Sequence, residues 1–211
     1  VILNGGTLQD DGITRNIANA ISISADMTFS STGAGSLVFT NEVTGNGTVI
    51  TNPASNTNLT VTNTTTFQQA ISGVSKGITK LGAGTLILSG DNTYDGGTTV
   101  SAGTLTVTST GSLASGSNLT VGASGTANFA KASQTILTLI NNGVLNLNTA
   151  SETMTATTLN GAGDLNFVGG SNVLTVNAAD TAIVCTYTNT RRTASLTLRK
   201  VWGAKKKSKT P

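Results

Sequence analysis

Apolar residues in this chain come in short alternating runs placed just behind a glycine. The pattern Gly-x-apolar-x-apolar opens at Gly84, Gly103, Gly143 and Gly163, with a weaker copy at Gly125, at intervals of 19, 22, 18 and 20 residues. Period-two alternation is the mark of a strand with one buried face, so Leu105 and Val107 are expected inside and Thr104, Thr106 and Thr108 outside. A second set, Asn118-Leu119-Thr120-Val121, Ile136-Leu137-Thr138-Leu139 and Val173-Leu174-Thr175-Val176, lies between the main strands, with Asn58-Leu59-Thr60-Val61 upstream. Each period therefore carries at least two short strands. Earlier copies at Gly6, Gly35 and Gly47 are spaced unevenly, which leaves the register before residue 84 open.

A strand of three to five residues cannot bury its apolar face alone, and a period of about twenty residues is the length of one solenoid coil. Stacking at ~4.8 Å per coil would give about nine coils over residues 1–178, a rod roughly 40 Å long. Leu, Val and Ile would form inward ladders while Thr and Asn line the outside. Glycine at the start of each strand points to a corner that needs positive φ or close backbone approach. Asparagine at the corners tolerates left-handed conformations and can ladder through its amide. The sequence thus predicts an all-β solenoid.

Composition changes the picture in two ways. Only 10% of residues are charged and 4% aromatic, yet regularly spaced Val, Leu and Ile argue for order. The net charge of +3 is split along the chain. Residues 1–180 hold four basic residues and all nine acids, a net −5, whereas residues 181–211 hold eight basic residues and no acid. The basic balance therefore describes a tail. Cys185 is the single cysteine, so no disulfide forms within the chain. No run of eighteen apolar residues is present, so no helical membrane span is expected. Val1 opens directly into strand-like sequence, and an export signal is expected to lie outside these residues.

Residues 77–107 resemble the passenger-associated transport repeat of autotransporter proteins. The resemblance rests on features in order: Lys80-Leu81-Gly82-x-Gly84, then Leu86-Ile87-Leu88-Ser89-Gly90, then Asn92-Thr93-Tyr94-x-Gly96-Gly97-Thr98, and last Gly103-Thr104-Leu105. Gly111-Ser112-Leu113 and Asn118-Leu119-Thr120-Val121 fit the family's continuation, and looser agreement extends over residues 1–178. The resemblance implies a right-handed parallel β-helix passenger on the bacterial surface or outside the cell. It also implies an outer-membrane translocator barrel as partner, with host-surface or cell–cell adhesion partners as candidates. Residues 183–202 are similar to the junction between prealbumin-like modules of bacterial surface proteins, with Cys185-Thr186-Tyr187-Thr188-Asn189-Thr190 ending one module and Thr197-Leu198-x-Lys200-x-Trp202 opening the next. Residues 1–178 are thus expected to form the solenoid, and 179–211 a basic tail from an incomplete following module.

Candidate chemistry is sparse. The chain has no histidine, which excludes His-based triads and imidazole acid–base catalysis and leaves Cys185 without the partner of a papain-like nucleophile. A polysaccharide-cleaving β-helix would need carboxylates gathered on one outer face. The acids are instead scattered: Asp10 and Asp11, Asp26, Glu42, Asp91 and Asp95, Glu152, Asp164, Asp180. Asp10 and Asp11 would point to opposite faces of a strand, and Asp91 and Asp95 flank a turn. Asn160-Gly161-Ala162-Gly163-Asp164 is a single, offset echo of a calcium-binding repeat, and Gly82-Ala83-Gly84 lacks the Lys-Ser/Thr of a phosphate loop. The Asn-x-Thr sequons at Asn46, Asn58, Asn63 and Asn118 are the chance product of composition. Lys205-Lys206-Lys207-Ser208-Lys209 reads as a solvated charge run, with no specific nucleic acid implied. No catalytic, cofactor or metal residue is assigned. The leading expectation is a non-enzymatic stalk or adhesin segment. The alternatives are a carbohydrate-active β-helix, and an anionic-surface binder acting through the tail.

Overall fold

The computed structural model describes residues 1–40, 47–148, 152–168 and 172–176. The tail 179–211, with Cys185 and the module-like junction 183–202, lies outside the described residues, as do Glu42, Asn46 and Asp180.

The described residues form nineteen strands and no helix, and every strand pairing is parallel. They wind as a solenoid of about 8 turns with roughly 21 residues per turn. Each coil contributes to two arms of one long sheet. The first arm runs from Gly6–Asp10 and Met27–Ser31 through Asn56–Val61 and Gly77–Leu81 to Ser133–Asn141, Thr153–Asn160 and Val173–Val176. The second runs from Arg15–Ile17 and Ser36–Phe39 through Thr64–Phe67 and Thr85–Leu88 to Val144–Leu147 and Asp164–Phe167. In the middle, Thr98–Val107 and Ser117–Phe129 are long enough to turn the corner and serve both arms. A third face, built from Ile2–Leu3, Ile21–Ile23, Thr48–Ile50 and Ile71–Ser72, closes the first four coils.

The alternating pattern sets which side is buried. Leu86, Leu105, Ala127 and Leu145 stack as one inward ladder, and Leu88, Val107, Phe129 and Leu147 as its neighbour. Leu105 and Val107 are 0% exposed, while Thr104, Thr106 and Thr108 stand half-buried on the outer side, as the alternation predicts. In the second and third coils three rings fill the space between arms. Phe39 and Phe67 stack with centroids 4.5 Å apart, and Phe29 meets both edge-on.

The count is about 8 turns rather than nine because each turn takes roughly 21 residues. The glycine-led copies at Gly84, Gly103, Gly125, Gly143 and Gly163 all open the second arm. Those at Gly6, Gly35 and Gly47 lead into the first arm, the second arm and the third face respectively. They therefore mark different corners of three successive coils, and Met27 stacks directly on Leu59.

Glycine's role at the second-arm corner is mostly close approach. A Cβ on Gly143 would lie 2.2 Å from the Gly122 carbonyl oxygen and 2.3 Å from that of Gly125. Gly103 combines a similar contact, 2.4 Å from Gly82 O, with a φ of +69°. Among the described residues asparagine does not use the left-handed region it tolerates. Among the described residues positive φ belongs to glycines and to Ser75 alone. The amide ladder does exist, but on the flat second arm: Asn146 donates to Asn128 at 2.6 Å and Asn166 to Asn146 at 2.7 Å. Extended backbone on stacked strands brings identical amides within reach, which a turn would not.

Candidate functional site

The side chains that carry chemistry are spent on holding one coil to the next. At the corner between the arms, backbone carbonyls converge from coil after coil. Carbonyl dipoles aimed at one buried space repel one another, and each lone pair removed from water needs a donor. Three residues supply donors at intervals. Asn63 gives its amide to Gly33 O at 2.9 Å and Gly35 O at 2.6 Å. Lys80 places its ammonium 2.9 Å from Leu81 O, 2.7 Å from Gly82 O and 3.0 Å from Ala102 O, so it joins its own coil to the next. Asn141 donates to Asp164 O at 2.9 Å.

Lys80 is the unusual member. It is fully buried in the inward ladder between Leu59 and Val100, and among the described residues no carboxylate lies within ion-pair distance. Burial pushes its pKa down to about 8. The three carbonyls keep the ammonium tolerable below that pH by replacing the water it lost.

A matching device continues the third face where its strands stop after Ile71–Ser72. Asn92 accepts from Ile71 N at 2.8 Å and donates to Gly90 O at 2.9 Å and Ser112 O at 2.6 Å. Two coils on, Gln134 accepts from Leu113 N at 2.9 Å and donates to Leu113 O and Thr135 O. Side-chain amides here complete the backbone ladder that the missing strands would have made. Beside them Tyr94 is fully buried, its hydroxyl 2.8 Å from that of Thr98, and burial raises the phenol above its ordinary pKa.

The acids serve turns. Asp10 is buried and accepts from Gly12 N at 2.8 Å and from the Ser31 hydroxyl, whereas Asp11 faces solvent and pairs with Arg15, in keeping with opposite faces. Asp26 holds Asn58 through N–H and amide, each at 2.8 Å. Asp95 accepts from Ser75 N. Asp91 accepts from Ser112 Oγ at 2.8 Å and from Lys131, whose ammonium holds the carboxyl below its usual range. Glu152 accepts from Asn148 N at 3.0 Å. Asp164 starts a strand of the second arm. Among the described residues no three carboxylates, cysteines or histidines gather as a metal site. A shallow concavity of about 530 Å³ beside the third face is lined by Ile2, Ser22, Val49 and Ser72, hydroxyl and aliphatic groups without a carboxylate.

The sequence motifs include Lys80, Asn92 and Tyr94 without assigning them contacts, and they pass over the bracing roles of Gln134 and Asn141. For Lys80 a signal is present, since it shares period-two parity with Ile78, which is also buried.

These features define a parallel β-solenoid whose polar interior groups brace the stack. Residues 78–107 match the family model of the passenger-associated-transport-repeat. The chain thus carries that repeat and in this segment is similar to autotransporter passengers, as the motifs implied. No curated protein and no solved structure matches the chain. The matched segment contains Lys80, Asn92, Tyr94 and Gly103, so several of the bracing groups lie inside it.

Lys80 gives a pH dependence with a definite sign. Its folded pKa of about 8 lies below the ordinary lysine value of 10.5, so between those values the unfolded chain binds more protons and stability rises with pH. Buried Tyr94 acts oppositely once free phenol ionises near pH 10. The urea midpoint of the wild type should therefore climb between about pH 8 and 10 relative to Lys80→Met. Parallel curves for the two proteins would mean that the ammonium titrates as if in water.

Proposed function

We propose that the chain is a structural passenger segment, a stalk of a secreted or surface-displayed bacterial autotransporter-like adhesin. The observation that carries this reading is the passenger-associated transport repeat set within a continuous solenoid, its polar side chains turned to coil-to-coil bonds. Such a rod contacts only its neighbours along the axis and holds whatever it bears at a fixed distance from its base. The partner at that base is an outer-membrane translocator barrel, and host-surface or neighbouring-cell ligands are the targets of the assembled protein.

Fusing the chain upstream of an autotransporter barrel tests the proposal. The expected result is a segment that added protease removes from intact cells, with surface display lost when residues 78–107 are deleted. Display that is indifferent to this deletion would separate the repeat from export. Release of reducing sugar from polysaccharides by the purified chain would replace the stalk reading with an enzymatic one.

A further inference from the structure

We draw no further inference here: the strongest candidate, the shallow concavity on the third face with exposed Ile2 and Val49 at its wall, carries nothing because nothing in the structure shows what covers it.

Discussion

Gly143→Ala should destabilise the solenoid by about 3 kcal/mol or more, at the upper end of what overpacking costs. The methyl would sit 2.2 Å from Gly122 O and 2.3 Å from Gly125 O. Both are backbone atoms of the preceding coil, so relief requires moving a coil rather than rotating a side chain. Alanine's smaller loss of chain entropy, ~0.5–1 kcal/mol in its favour, is too small to offset this. Gly116→Ala is the comparison. A Cβ there meets nothing within 4 Å, although its φ of +73° retains a strain cost, so a smaller loss is expected. Urea denaturation ranks the two variants, and the corner account fails if Gly116→Ala is the more damaging.

Leu105→Ala is expected to cost about 2–5 kcal/mol by leaving a cavity in the inward ladder between Leu86 and Ala127. The neighbour Ala127 is already small, so little bulk stands ready to collapse into the gap. Thr106→Ala, on the outer side of the same strand, should stay near ±0.5 kcal/mol. Unfolding curves of the two proteins measure the contrast, and equal losses would contradict the burial pattern. Since each coil touches only its neighbours, the damage at Leu105 should appear in hydrogen exchange as faster opening of adjacent coils before the distant ones.

Much of this architecture was legible in the sequence where backbone and pattern report the same thing. From Gly84 onward each glycine of the repeat precedes a strand of the second arm, because that corner admits no side chain and the alternating residues behind it must face the core. The same signature left the register open before residue 84, since a glycine-led strand can open any of the three faces and the pattern does not say which. The bracing groups were harder to read. Lys80 shares the parity of buried Ile78, but the sequence does not show the carbonyls gathered from two coils that make its burial tolerable. Asn92 and Gln134 replace a strand edge, a role that depends on where Ile71–Ser72 stops, and no local residue pattern encodes that.

The seam at the corner also bears on how the coils find one another. Ladders of Leu, Val and Phe are nearly interchangeable, so they behave like a zip whose teeth are all alike. If Thr98–Val107 closed onto Asn56–Val61 in place of Gly77–Leu81, it would find almost the same aliphatic neighbours. What it would lose is the bond from the Lys80 ammonium to Ala102 O, the one of its three that crosses to the next coil. Lys80, with Asn63 and Asn141 above and below it, thus gives a few teeth a distinct shape, so that a mis-stacked solenoid carries an error that hydrophobic contact alone would forgive.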